Sequence, residues 1–196
     1  MLTPGSANRT IVSFLSDWDL EATGDDIPVK PLHHRTGAAA FTFRATDLLV
    51  PRPAPRLYRH DLESFFYILI WAALHYDFKH KTRTSRVHSV VRKWTSSDME
   101  LAQTRKICLV LSNVYGIDEI IAHISPQCQA LLVPWIQVIW DLFDEGNADC
   151  RTYRKMSHTG NAAVWDNKTF GGWITFEKFM EAIGRTPRLE DSAPAC

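Results

Sequence analysis

The 196-residue sequence predicts a mainly α-helical domain with a short β/loop entrance, and three observations support this fold class. A long apolar run over residues 62–74 contains neither proline nor glycine, which favours a helix over a strand. Two further segments, 96–116 and 125–146, carry helix start and stop signals, and residues 175–184 have the pattern of a short amphipathic helix. A β-branched and aromatic run, TIVSFL at 10–15, is the one plausible strand.

The remaining segments can be assigned in chain order. Residues 1–10 form a polar tail, and residues 27–55 show no helical period. The helix predicted over 60–78 is apolar on nearly every side, which is typical of a buried central helix rather than a surface helix. Residues 79–86 are basic and are expected in solvent, and residues 87–94 are compatible with a short helix.

The ends of the helix predicted over 125–146 follow from local chemistry. Ser125 is expected to be its N-cap, with Pro126 at the first helical position. Gly146 is expected to end the helix, because glycine is common just beyond a helix C-terminus. Pro134 should kink the helix, since proline removes one backbone hydrogen bond.

Composition and charge argue against several classes of partner. Lysine plus arginine equals aspartate plus glutamate, 22 of each, so nothing favours electrostatic capture of nucleic acid or of an anionic membrane. The longest apolar run, residues 65–74, is too short to span a bilayer. The N-terminus has no signal-peptide pattern, and no two cysteines form a CxxC pair, so we expect free thiols and an intracellular location. The cysteines are Cys108, Cys128, Cys150 and Cys196.

Two carboxylates, Asp17 and Asp19, follow the predicted strand in the stretch SDWDL. Two loop carboxylates can share a hard cation such as Mg²⁺, and the same residues can equally form a turn that bonds nearby backbone amides. The spacing also matches the nucleophile and acid/base pair of haloacid-dehalogenase-type (HAD-type) phosphohydrolases. That fold needs a downstream lysine and a later acidic pair, and the pair at residues 25–26 is too close to serve.

The eight histidines include two suggestive pairs, His33 with His34 and His75 with His80. None of these has a cysteine or carboxylate at a recognised metal-ligand spacing. We therefore predict no histidine metal site.

The order of segments resembles the C-terminal lobe of a eukaryotic-like protein kinase, most closely the fungal-type protein kinases. SDWDL (16–20) is similar to that family's DFG motif, and HRTGAAAFTFRATDLL (34–49) is similar to its activation segment. YRHDLESFFYILIW (58–71) is close to the signature of its central helix. VVRKWTSSDMELAQTRK (90–106) and ITFEKFMEAIG (174–184) resemble later helices of the lobe.

The resemblance implies a domain layout and roles for four aspartates. Residues 11–184 would be a partial protein-kinase-like C-lobe, between the tail at 1–10 and a flexible tail at 185–196. Asp17 matches the aspartate that coordinates Mg²⁺ on the ATP phosphates, with Asp19 beside it. Asp47 matches the acidic residue that closes the activation segment, which normally pairs with an arginine near the end of the lobe. Asp61 matches the central-helix aspartate that accepts hydrogen bonds from amides of the catalytic loop.

The sequence departs from the family in what comes before the DFG-like motif. It contains no Gly-rich loop, no strand lysine paired with a helix glutamate and no H-R-D catalytic loop, all of which precede that motif in a kinase. We therefore expect a kinase-family chain that is inactive alone and binds Mg²⁺ and ATP poorly. A pseudokinase-like protein-interaction module is the alternative, and a HAD-type phosphohydrolase using Asp17 and Asp19 ranks below both.

The missing catalytic loop has a consequence for Asp61 and its helix. A buried carboxylate without partners is costly, so Asp61 is expected to cap its own helix through the Ser64 amide. One flank of the helix over 62–74 should be thinly covered, which would make the chain aggregation-prone or dependent on a protein partner.

Overall fold

The computed structural model describes residues 39–53, 55–77, 79–84, 86–111, 116–158 and 164–186. Statements about the structure concern these ranges. The predicted tail at 1–10, the predicted strand at 10–15 and the carboxylates Asp17 and Asp19 lie outside them. Most of the predicted tail at 185–196 also lies outside them.

The described part of the chain is mainly helical, which confirms the predicted fold class. Its α-helices are α1 (Ala39–Thr42), α2 (Tyr58–His75), α3 (Met99–Leu111), α4 (Ile117–His123), α5 (Pro126–Ser157) and α6 (Phe176–Ala182). Two 3-10 helices cover Thr46–Leu48 and Ser89–Thr95. An antiparallel hairpin joins β1 (Tyr76–Asp77) to β2 (Thr82–Arg83), with Tyr76 opposite Arg83 and Asp77 opposite Thr82.

The central helix α2 forms where the sequence predicts it. Its first turn is closed by His60, whose Nδ1 accepts a hydrogen bond from the Leu57 amide at 3.0 Å. A side chain at this position that bonds back to the residue before the helix satisfies an otherwise unpaired amide. The helix ends at His75, where the chain turns into the hairpin.

The core lies where α2 and α5 pack against each other. The rings of Phe66 and Phe143 stack with centroids 5.5 Å apart, and Cys128 Sγ lies 3.7 Å from the Tyr76 carbonyl oxygen. The second contact joins the C-terminal end of α2 to the N-terminal end of α5, whereas the first lies near the middle of both helices. The two helices therefore run antiparallel. The buried core includes Leu62, Phe66, Tyr67, Ile70, Trp94, Leu109, Ile120, Leu132, Ile136, Ile139 and Ile174.

The prediction that α2 is buried on all sides is only partly right. Its buried residues face α5 and the 3-10 helix Ser89–Thr95, as in the edge-to-face contact of Tyr67 with Trp94. Phe65 and Ile68, however, are 39% and 44% exposed. The structure therefore leaves one apolar flank of α2 thinly covered, as predicted from the sequence.

One predicted feature of α5 is wrong. The helix does not end at Gly146 but continues to Ser157. Gly146 is needed for packing instead, because a Cβ there would lie 3.0 Å from the Phe170 ring and 3.1 Å from Trp173 Cβ. Ser125 is the N-cap residue and Pro126 is the first residue of α5, as predicted, although the Ser125 side chain makes no capping hydrogen bond.

Two shorter helices complete this arrangement. α6 begins as predicted, and Thr175 Oγ1 accepts a hydrogen bond from the Lys178 amide at 3.2 Å. α4 was not predicted from the sequence; it follows Gly116 and buries Ile117 and Ile120. No helix within the described ranges has the length and apolar character needed to cross a membrane.

Candidate functional site

Residues 41–49, here called the anchored segment, run from α1 through the 3-10 helix Thr46–Leu48. They include Asp47, one of the residues singled out from the sequence. Side chains from α2 and α3 contact this segment at several points, and most of these contacts reach its backbone.

Glu63 of α2 ties the anchored segment to the central helix. Its buried Oε1 accepts hydrogen bonds from the Thr46 amide at 2.8 Å, from Thr46 Oγ1 at 2.9 Å and from Tyr67 Oη at 2.6 Å. Three donors on one oxygen compensate for taking this carboxylate out of water. Burial, followed by the neighbouring Glu63 charge, raises the pKa of the Tyr67 hydroxyl well above its usual value, so Tyr67 remains a donor.

Lys106 of α3 holds the first half of the anchored segment. Its side chain is fully buried, and Nζ donates to the carbonyl oxygens of Phe41 at 2.8 Å and Arg44 at 2.5 Å. The same nitrogen lies 4.2 Å from the centre of the Tyr67 ring, a cation–π distance. Burial lowers the pKa of Lys106 to about 7, although the nearby Glu63 charge acts in the opposite direction.

Gln103, one turn before Lys106 on α3, adds a third contact. Its Nε2 donates to the Thr46 carbonyl oxygen at 3.0 Å. Thr46 is thus held by Glu63 at its amide and by Gln103 at its carbonyl. This pairing fixes the backbone of one residue from two different helices.

Asp47 pairs with Arg59 at the start of α2. The Asp47 Oδ2 to Arg59 Nη2 distance is 2.6 Å, and Arg59 also donates from Nε to the Asn167 carbonyl oxygen at 2.8 Å. The guanidinium lies 5.0 Å from the Phe170 ring centre. The resemblance implies a partner for Asp47 near the end of the lobe, without saying which arginine. The structure instead places Arg59, at the start of the central helix, beside Asp47.

His60 also faces Asp47. Because its Nδ1 accepts from the Leu57 amide, a neutral ring carries its proton on Nε2. Nε2 is buried, lies 3.8 Å from Asp47 Oδ2 and has no hydrogen-bond partner in the described part of the chain. That distance is too long for a hydrogen bond, so the contact is electrostatic. The His60 ring, followed by the Arg59 guanidinium, lowers the pKa of the Asp47 carboxyl to about 2.

Asp61 does not cap α2, and this expectation was wrong. The helix begins at Tyr58, so Asp61 is its fourth residue. Its carboxylate instead accepts from Arg56, with Nε 2.9 Å from Oδ1. The side chain of Arg56 is half-exposed, whereas that of Asp61 is mostly buried.

A small cavity of about 60 Å³ lies beside these residues. Its polar lining comes from Thr46, Asp47, Arg59, Glu63 and Asn147. Apolar side chains, among them Ile107, Phe143 and Phe170, complete the lining, and a space of this size is too small for a substrate.

Sequence reasoning singled out Asp47 and Asp61 but missed Glu63 and Lys106. Both missed residues lie where an apolar residue would be expected. Lys106 is one turn after buried Ala102 and one turn before Leu109 and Val110. A charged residue inside an apolar helical stripe is the signal that could have found them.

Asp17 and Asp19, the predicted Mg²⁺ ligands, lie outside the described residues. Within the described ranges, no group of three or more histidine, cysteine, aspartate or glutamate side chains could hold a metal ion. This geometry therefore assigns no residue to Mg²⁺ or ATP.

Comparison with known proteins gives one match. Residues 1–73 match the model of the family described as fungal protein kinase, and this match confirms the resemblance over that part of the chain. It spans the anchored segment and most of α2, with Asp47, Arg59, Asp61 and Glu63. No curated protein and no solved structure matches the chain.

Proposed function

We propose that this chain is part of the C-terminal lobe of a fungal-type protein kinase, a family whose activity is ATP-dependent phosphoryl transfer to protein. In this proposal the anchored segment is the end of the activation segment, and α2 is the central helix. The observation that carries it is the Glu63–Thr46 contact, which ties that segment to the helix bearing the family signature. Asp17 is the proposed Mg²⁺ ligand.

These 196 residues alone are proposed to be inactive. The sequence contains no H-R-D catalytic loop, no Gly-rich loop and no lysine assigned to the phosphates. Phosphoryl transfer depends on positioning and on stabilising charge, and one metal carboxylate supplies neither alone. Mg²⁺ usually takes ligands from substrate phosphates as well as from carboxylates, so weak binding of Mg²⁺ and of Mg-ATP is expected.

A two-part kinase assay tests this proposal. The first part incubates the full chain with radiolabelled Mg-ATP and a generic protein substrate, and we expect no incorporation. The second part adds a separate fungal-type polypeptide that supplies the nucleotide-binding lobe and the H-R-D loop. We expect incorporation that Asp17→Ala abolishes and that Asp118→Ala, an exposed control on α4, leaves intact.

Three outcomes would overturn parts of this proposal. Incorporation by the chain alone that depends on Asp17 would show that it carries its own catalytic machinery. Phosphate-ester hydrolysis that depends on Asp17 and Asp19 would favour the HAD-type alternative. Failure to form an active complex with the added lobe would count against the kinase reading.

The second candidate function is a pseudokinase-like interaction module. The observation that favours it is the exposed apolar flank of α2, where Phe65 and Ile68 lie one turn apart. In this proposal a protein partner covers that flank. Phe65→Ser with Ile68→Ser should reduce self-association in sedimentation and binding of a hydrophobic dye, whereas Arg83→Ser should not. Unchanged behaviour in the double variant would remove this candidate.

We also propose an intracellular, reducing location for the chain. This is supported by the free thiols of Cys108, Cys128 and Cys150.

A further inference from the structure

A second cavity lies outside the region matched by the kinase family. This space of about 240 Å³, here called the Arg105 cleft, opens between the 3-10 helix Ser89–Thr95, α3 and α4. Its lining includes Lys93, Trp94, Arg105, Leu109, Glu119 and His123.

Two cations line the cleft without a counterion among the residues that the structure describes. Lys93 is exposed and Arg105 is partly buried, and neither forms an ion pair or hydrogen bond within the described part of the chain. Arg56 and Arg59, by contrast, each pair with an aspartate. A partly buried guanidinium has lost part of its hydration, so an anionic ligand stabilises it more than it stabilises an exposed lysine.

The remaining charges at the cleft leave it positive. Glu119 is the one carboxylate in its lining, against two cations. His123 lies at the rim, with its ring centroid 5.0 Å from that of His88.

The lining of the cleft is partly apolar. Trp94, Leu109 and Ile120 are at most 3% exposed, so apolar surface open to a ligand comes from the half-buried Val90 and Cys108. An apolar cavity of about 150 Å³ accommodates benzene, so the larger Arg105 cleft has room for a ring and a small charged group. The cations and the walls together define a ligand with one charged and one apolar end.

We propose that the Arg105 cleft binds a small organic anion, in which a phosphate or carboxylate group is joined to a body about the size of a benzene ring. Lys93 and Arg105 hold the anionic group, and the half-buried Val90 and Cys108 contact the apolar body. The site lies beyond residue 73 and is independent of phosphoryl transfer. Its failure would leave the kinase proposal unaffected.

Calorimetric titration of the full chain with phenyl phosphate tests this inference. We expect saturable binding at least about tenfold tighter than for inorganic phosphate or benzyl alcohol, since each of these supplies only one half of the ligand. A short peptide bearing phosphotyrosine carries the same phenyl phosphate group as part of a protein side chain. Tighter binding of this peptide than of phenyl phosphate would indicate a phosphorylated protein as the ligand, because residues flanking the phosphotyrosine would then add contacts. Absence of saturation with every probe up to ~10 mM would overturn the proposal.

Charge variants locate the binding. Arg105→Gln should weaken phenyl phosphate binding by about tenfold, because a charge-assisted hydrogen bond is lost. Arg83→Gln, which removes the same charge from an exposed position on β2, should leave it unchanged. Glu119→Gln should strengthen binding by about twofold to fivefold, since it removes the opposing carboxylate.

The Glu119 variant keeps the test decisive if Arg105→Gln lowers the melting temperature, because a gain in affinity does not arise from unfolding. Binding that is unchanged by Glu119→Gln, or lost equally in Arg83→Gln, would overturn the proposal.

Discussion

Glu63 accepts two hydrogen bonds from Thr46, one from its amide and one from its hydroxyl, across 17 positions of sequence. These bonds join the central helix to a segment without a long regular element of its own. The same oxygen also accepts the Tyr67 hydroxyl. Glu63 is therefore the residue through which α2 fixes the position of the anchored segment.

Removing Glu63 should destabilise the protein strongly. Glu63→Ala leaves three donors at Thr46 and Tyr67 without an acceptor in a buried space, so we expect a loss of about 3 kcal/mol in the free energy of unfolding. Glu181→Ala, an exposed substitution on α6, should cost less than about 0.5 kcal/mol. Chemical denaturation measures both values, and equal losses would contradict the role given to Glu63.

Lys106 should make stability depend on pH. Its pKa is about 7 in the folded chain and about 10.4 in an unfolded one, so unfolding between these values takes up a proton. Stability from this group therefore rises as pH increases from about 7 towards 10. The difference in unfolding free energy between the native sequence and Lys106→Met should grow between pH 7 and pH 9.5, where Tyr67 does not yet interfere.

The control for this experiment is Lys155→Met, which removes the same charge from an exposed position near the end of α5. Comparing each variant with the native sequence at every pH cancels the other titrating groups. If the difference in unfolding free energy between the native sequence and Lys106→Met stays constant with pH, then burial does not lower the pKa of Lys106, and this prediction is wrong.

The Asp47–Arg59 pair should be lost in acid. The pKa of Asp47 is lowered to about 2, so its contribution is present above about pH 4 and disappears as pH falls through about 2. Asp47 is half-exposed, so Asp47→Asn should cost no more than about 1 kcal/mol at pH 7. The difference from the native sequence should vanish near pH 2, and a penalty that persists there would contradict an ionic origin.

Asp61 should contribute little to stability. Its partner Arg56 is half-exposed, so the coupling free energy in a double-mutant cycle of Asp61→Ala and Arg56→Ala should be below about 1 kcal/mol. A coupling or single-mutant loss of about 3 kcal/mol or more would mean that Asp61 anchors a wider buried network. High salt should reduce the measured coupling, since partly exposed ion pairs are screened.

The sequence predicted the helices where local pattern decides the structure. Residues 58–75 contain no glycine or proline, and their apolar run is long enough to exclude a strand. Thr175 likewise begins α6 with a side chain suited to capping. These features depend on neighbours within one or two helical turns, so a sequence is enough to find them.

The sequence failed where distant residues decide the structure. Gly146 resembles a helix stop, but the approach of Phe170 and Trp173, more than 20 positions later, is what requires a glycine. Lys106 resembles a surface lysine until the carbonyls of Phe41 and Arg44 are placed next to it. No local pattern encodes these contacts, because each depends on how separate elements pack.

Lys106 and Gln103 hold the anchored segment by backbone oxygens alone, at Phe41, Arg44 and Thr46. Every residue type carries such an oxygen, so these hydrogen bonds do not depend on which side chains occupy positions 41 and 44. Arg44 is exposed and Phe41 is partly so. Substitutions can therefore change the exposed side chains at positions 41 and 44 while the hydrogen bonds from α3 keep the backbone of the anchored segment in place.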